Sequence, residues 1–297
     1  MNQELFVAIE WGTARLKASL LDSNGAILDT IEKPVRLAQL DREDMAAQLS
    51  ELAHRWTSTK CPILLAGMIG SSMGWHDVAH LPCPVTFDMI GGGLSHHEIN
   101  SHRVVIIPGL KCTSRFGDFE VMRGEEVLAA GLAASEPLED ILLLSAPGMH
   151  GKWIEIGCGA VTRFHTSMTV ELVSLIAENS FLAPAMKSPP SVCPAFFKGV
   201  ERGLEGGGLG RLLFTARTGE MAGQFNKNET ASYVWGILIG SDLREIESVN
   251  NRSIYLSGSK IAVELFSAAL SHMNLKSKTI SMDEAIAMGF AKIQKLL

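Results

Sequence analysis

The chain has 297 residues, 46% hydrophobic and 20% charged, which excludes a disordered or fibrous protein and leaves room for two ordinary domains. Lys and Arg number 26 against 32 Asp and Glu, a net charge of −6, and no basic run exceeds two residues, so nothing offers a nucleic-acid backbone a charged stripe. Apolar stretches such as Ile141-Leu142-Leu143-Leu144 fall far short of the ~20 residues that cross a bilayer. The reading is a cytoplasmic protein with no nucleic-acid or membrane partner. Five cysteines, at 61, 83, 112, 158 and 193, form no Cys-x-x-Cys pair, so neither a disulfide framework nor a structural zinc site is signalled. They are expected to be small buried side chains in a reducing compartment.

Leu5-Phe6-Val7-Ala8-Ile9 reads as a central strand, apolar on both faces. The turn Glu10-Trp11-Gly12-Thr13 leads to a second strand over 15–21, whose alternation predicts one wetter face shared by Arg15 and Lys17. Asp22-Ser23-Asn24-Gly25 then turns into a third strand. A helix is expected over 41–56, a buried strand at 62–66, and a glycine-rich loop at 67–75. His96-His97-Glu98 predicts no metal site, because adjacent side chains diverge and no third ligand sits at helical spacing; a solvated loop or helix end is expected. Residues 104–107 read as a strand closed by Pro108-Gly109, followed by a polar loop and a helix opening at Arg123-Gly124-Glu125-Glu126.

Strands are expected at 141–144, 153–156 and 160–164, the last two joined by Gly157-Cys158-Gly159. Residues 184–194 and 203–210 read as the least ordered stretches. Helix 229–247, strand 253–256, helix 260–273, strand 277–280 and helix 283–295 complete an α/β chain. Each half opens with a strand, a turn and two hairpin strands, an order that suggests a duplicated domain around a ligand cleft.

Turns rich in glycine and hydroxyls present backbone N–H groups to an anion. Gly12-Thr13 is one such turn, with Lys17 and Arg15 placed to close over an anion, and Gly148-Met149-His150, followed by Lys152, is the matching one. The second turn lacks P-loop spacing. Ser257-Gly258-Ser259 offers a small-residue helix start against which an adenosine packs, with Ser257 or Ser259 as N-cap. At 123–126, two carboxylates beside an arginine fit the helix macrodipole alone. They equally fit a general base with an anion-orienting guanidinium.

Together these strings resemble the 2-dehydro-3-deoxygalactonokinases, sugar kinases of the hexokinase, actin and Hsp70 superfamily. The strings are Trp11-Gly12-Thr13, Ala66-Gly67-Met68-Ile69-Gly70-Ser71, Gly74-Trp75, Val121-Met122-Arg123-Gly124-Glu125-Glu126, Pro147-Gly148-x-His150-x-Lys152-Trp153 and Met168-Thr169-x-Glu171. The resemblance implies two ribonuclease-H-like, actin-like ATPase domains flanking a cleft, divided at 1–115 and 116–297 with the boundary between 110 and 140. It implies ATP and Mg²⁺ as cofactors, and transfer of the γ-phosphoryl group to the 6-hydroxyl of 2-dehydro-3-deoxy-D-galactonate in galactonate breakdown. A related keto-deoxy acid, or a binding protein with weakened catalysis, is the alternative.

Glu125 is the expected base, with Glu126 and Asp118 as alternatives. Gly12, Thr13, Lys17, Gly148, His150, Lys152, Gly258 and Ser259 would hold ATP, while Ser71, Trp75 and Arg123 hold the sugar acid. Glu10, where the family has an aspartate, would meet the metal through water. Met149 replaces a threonine and Val170 a glycine of the family strings. A homodimer is compatible with the sequence and not chosen by it.

Overall fold

The structure, a computed structural model, describes residues 4–56, 61–99, 101–136, 140–146, 149–246 and 252–297. The first elements are β1 (Leu5–Trp11), β2 (Arg15–Asp22), β3 (Ile27–Pro34), α1 (Arg42–Arg55), β4 (Ile63–Gly67), β5 (Leu81–Pro82) and β6 (Val85–Thr86). Next come β7 (Ser95–Ile99), β8 (His102–Ile106), β9 (Leu110–Thr113), β10 (Phe119–Met122), α2 (Glu125–Ser135), β11 (Ile141–Ala146), β12 (Gly151–Gly157) and β13 (Ala160–Ser167). The chain ends with α3 (Thr169–Asn179), α4 (Pro194–Glu205), α5 (Leu209–Met221), α6 (Thr230–Arg244), β14 (Ser253–Gly258), α7 (Lys260–His272), β15 (Ser277–Thr279) and α8 (Met282–Gln294). Two compact units emerge: Met1–Glu139 with Ile154–His165 and Ser281–Leu297, and Asp140–Trp153 with Thr166–Ile280.

In the first unit a six-stranded sheet has the order β3-β2-β1-β4-β8-β7. β1 is antiparallel to β2 and parallel to β4, so Glu10 lies opposite Lys17 on one side and Ala66 on the other. The apolar run of β1 earns its central place because both faces are covered: Val7, Ile9 and Trp11 join Ile63, Leu65 and the α1 residues Leu49 and Leu52 in one core. Asp41 and Asp44 close a capping box at the start of α1, which fixes where that helix begins. A smaller sheet has the order β10-β9-β5. α2 and α8 touch main chain to main chain, since a Cβ on Gly131 would collide with Ala285 and one on Gly289 with Val127.

In the second unit β11, β14 and β15 run parallel. α6 is apolar on every side, with Val234, Trp235, Ile237, Leu238 and Ile239 all buried, the pattern of a core helix. It lies against α4 through four glycines. A Cβ on Gly199 would approach Ile237 N to 3.0 Å, and one on Gly236 would approach Val200 N to 2.9 Å.

Several expectations need correction. The face of β2 carrying Lys17 is not wet: Lys17 and Ser19 are buried, because α8, distant in sequence, covers them. Arg15 is exposed. His96-His97-Glu98 is neither loop nor helix end but the half-buried edge strand β7, paired antiparallel with β8. The polar stretch after Pro108-Gly109 folds as the hairpin β9–β10. Gly203 is helical, because α4 needs it for its contact with α6, where a Cβ would lie 2.6 Å from Ser241 N; only residues 206–208 interrupt helix. Cys61 and Cys112 are buried as expected, but Cys158 is exposed at a hairpin turn with φ 52°. Residue 247, the expected end of the helix before β14, lies outside the described residues.

Candidate active site

In the first unit the Gly12 N–H donates to the Arg15 carbonyl at 2.8 Å, closing the turn and leaving Thr13 exposed. Just before it, Glu10 is pushed up to about 7, chiefly by burial and against the pull of Lys17 and Arg15. The Lys17 ammonium lies 2.5 Å from the Asp283 carboxylate. Asp283 belongs to the first turn of α8, whose N-cap is Ser281.

Glycine contacts carry α2 to the same strand ends. Gly67, at φ +93°, lies so close to β1 that a Cβ would sit 2.8 Å from the Trp11 carbonyl oxygen. Gly124, at φ +109°, would place a Cβ 3.7 Å from Gly67 Cα. Only glycine adopts these conformations without strain, so the first turn of α2 rests directly on the carboxyl ends of β1 and β4. Its two carboxylates differ sharply. Glu126 is fully buried and accepts the Gly124 N–H with both oxygens, at 2.8 and 2.7 Å. It is pushed up to about 8, first by burial and then by the neighbouring Glu125 charge. Glu125 is half-buried. Asp118 is exposed between β9 and β10 and donates its N–H to Ser114 Oγ.

Arg123 is tucked inward. Its side chain is 6% exposed and 3.8 Å from Asp77, and Nη2 donates to the Val78 carbonyl. Burial lowers its pKa. Among the described residues its buried Nη1 has no hydrogen-bond partner. Ser71 Oγ donates to the Met68 carbonyl at 2.7 Å. Trp75 is buried, and its ring lies 4.4 Å from His76, which stacks on His97 at 3.9 Å. That stack explains the half-buried pattern of β7.

In the second unit, Gly148 lies outside the described residues. The Met149 carbonyl accepts the Glu171 N–H at 3.1 Å, while its side chain is exposed. His150 Nε2 is 2.8 Å from Glu171 Oε2. Lys152 is buried and donates to Thr166 Oγ1 at 2.5 Å. Asp242, on the apolar α6, accepts from Trp153 Nε1 at 3.2 Å, Ser167 Oγ at 2.8 Å and Thr169 Oγ1 at 3.1 Å. Burial raises it to about 6 despite those donors. It borders a cavity of about 280 Å³ together with Met168, Leu172, Gly208, Leu212 and Arg244. Gly258 ends β14, and Ser259 caps α7 by accepting the Ala262 N–H at 3.4 Å.

Three polar residues in these clusters were not among the expected site residues: Asp283, Glu171 and Asp242. Each left a trace in the sequence. Asp283 follows a Ser N-cap, Glu171 stands in the first turn of α3, and Asp242 is a carboxylate near the end of an otherwise apolar helix.

A sheet with a parallel centre, and a helix start set on glycine-backed strand ends, make an α/β fold. The activator of a 2-hydroxyisocaproyl-CoA dehydratase from Clostridium difficile, solved with ADPNP, shares that fold at 11% identity, with a TM-score of 0.53 over 98% of this chain and 95% of the other. The model of the 2-keto-3-deoxy-galactonokinase family matches residues 10–293. The 2-dehydro-3-deoxygalactonokinase of Escherichia coli (strain K12) is 29% identical over 290 residues, 97% of each chain. A crystal structure from Sinorhizobium meliloti, provisionally named for the same activity, superimposes with a TM-score of 0.85 at 25% identity, covering 98% of this chain and 96% of that one. The chain therefore belongs to the 2-keto-3-deoxy-galactonokinase family, and its class of activity is that of a kinase using ATP.

Proposed function

We propose that the chain phosphorylates 2-dehydro-3-deoxy-D-galactonate at its 6-hydroxyl, giving 2-dehydro-3-deoxy-6-phospho-D-galactonate in galactonate catabolism in the cytoplasm. The observation that carries the reading is a half-buried carboxylate, Glu125, at the head of α2 on the carboxyl ends of β1 and β4, in a chain matched by the family model over residues 10–293.

Glu125 acts as general base, accepting the hydroxyl proton as the oxygen attacks phosphorus. Glu126 is too deeply buried for that task, and its grip on the Gly124 N–H fixes the turn that aims Glu125. Arg123, with Ser71 and Trp75, forms the sugar-acid side. Its unpartnered Nη1 suits a carboxylate oxygen, the natural partner of a guanidinium arm. The turn at Gly12 and Thr13 with Lys17, and the segment from Gly148 through His150 to Lys152, serve the phosphates, while Gly258 and Ser259 serve the adenosine.

Mg²⁺ fits the donor set. Among the described residues no three His, Cys, Asp or Glu groups converge into a metal cage, and Glu10 stands as a half-buried carboxylate beside the turn. Such a site suits an ion that keeps most of its waters, takes its remaining oxygens from the phosphates and meets the carboxylate through a bound water. Glu10 would hold it through water, and the ion would neutralise charge on the transferring group. Among the described residues no helix is long and apolar enough to cross a membrane.

The test is ADP release coupled to a dehydrogenase, with galactonate-derived and gluconate-derived keto-deoxy acids as acceptors. The galactonate-derived acid should give the higher kcat/KM. Sugar binding without ADP release would replace the reading with a non-catalytic one.

A further inference from the structure

Glu10 and Lys17 stand opposite each other on neighbouring antiparallel strands. Opposed side chains in that relation begin about 5 Å apart, well within reach of a lysine stem, so a direct ion pair would ordinarily form between them. It does not form here. Among the described residues Lys17 pairs instead with Asp283, at 2.5 Å. An acidic residue in a helix's first turn is favoured by the macrodipole alone, but two further facts go past that explanation. The Lys17 side chain is 9% exposed against 58% for Asp283, so the buried ammonium depends on this counter-ion. α8 is also held firmly in place, by Gly131 and Gly289 and by Gly25, where a Cβ would lie 3.1 Å from the Ala287 carbonyl oxygen.

We propose that Asp283 is a positioning residue that holds the Lys17 ammonium off Glu10 and so keeps the Glu10 carboxylate open to a hydrated divalent cation. Removing Asp283 leaves a buried cation without its partner, and such a charge takes the nearest anion. Strand register offers two, Glu10 on β1 and Glu32 on β3, and Glu32 is already paired with Arg15, which leaves Glu10. The inference rests on Glu10 being the metal-facing residue.

The experiment measures ADP binding by calorimetry with and without Mg²⁺ and compares the ratio of the two dissociation constants, a coupling in which the direct grip of Lys17 on phosphate cancels. Asp283→Asn should shrink the ratio about tenfold, and Asp283→Glu should restore part of it. Lys17→Met combined with Asp283→Asn should return the ratio to the wild-type value, since no ammonium remains to close on Glu10. The proposal is overturned if Asp283→Asn keeps the wild-type ratio while Glu10→Gln lowers it, or if the double variant stays as low as Asp283→Asn. If Glu10→Gln leaves the ratio unchanged, the metal reading of Glu10 fails first and this inference falls with it.

Discussion

Gly236→Ala tests whether the second unit depends on main-chain contact between α4 and α6. The added methyl would collide with the Phe196 carbonyl oxygen and lie 2.9 Å from Val200 N and 3.0 Å from Gly199 Cα. Ordinary contact begins near 3.4 Å, so the helices must part by about half an ångström or more, and no side-chain rotation relieves atoms that belong to backbone. Overpacking of this kind costs ~1–3 kcal/mol. The upper part of that range applies where both partners are rigid, and the gain in helix propensity, up to ~1 kcal/mol, offsets part of it. A net loss of about 2 kcal/mol corresponds to a melting temperature lower by about 4–8 °C for a unit of this size. Gly210→Ala provides the control, since a Cβ there meets nothing within 4 Å. Thermal melts followed by circular dichroism would refute the reasoning if Gly236→Ala melted level with or above the control.

Glu125→Gln should lower kcat by ~10²–10⁴ while leaving the ADP dissociation constant unchanged; wild-type turnover would move the base elsewhere. Glu126 keeps its proton in the fold up to about pH 8, whereas the unfolded chain releases it near 4.5, so its burial costs progressively more stability as pH rises through that window. Glu126→Gln, which retains an acceptor for Gly124, should therefore gain in melting temperature relative to wild type between pH 5 and 8.5, and a constant difference would contradict the burial argument. Asp242→Ala leaves the Trp153, Ser167 and Thr169 donors without their acceptor and should destabilise by ~2–4 kcal/mol; denaturant unfolding reads it directly.

The strands and helices with period-true apolar patterns were legible because burial writes itself into neighbouring residues. β1, β4, α1 and α6 all follow from local runs. What stayed hidden depends on partners far along the chain. Lys17 looks like an exposed alternating lysine until α8 arrives to cover it. His97 looks solvated until His76 stacks on it, and Gly203 reads as a breaker until Ser241 supplies a surface that admits no Cβ. Of the candidate site, the acidic head of α2 was visible as a string. The sequence does not say which carboxylate is buried, because Glu125 and Glu126 are neighbours of identical chemistry separated only by the direction each points.

The contacts from Trp11 through Gly67 to Gly124 join two strand ends and a helix start by backbone alone. The proposed base, mounted in that way, takes its coordinates from peptide geometry and owes nothing to the side chains proposed to hold the sugar acid. On the proposed reading Ser71 can then be exchanged to admit a different acid without loosening Glu125, whereas Trp75 belongs to the core of the first unit. Specificity becomes an adjustable part fitted to a fixed chassis, and redesign of the acceptor should begin there with those glycines left untouched.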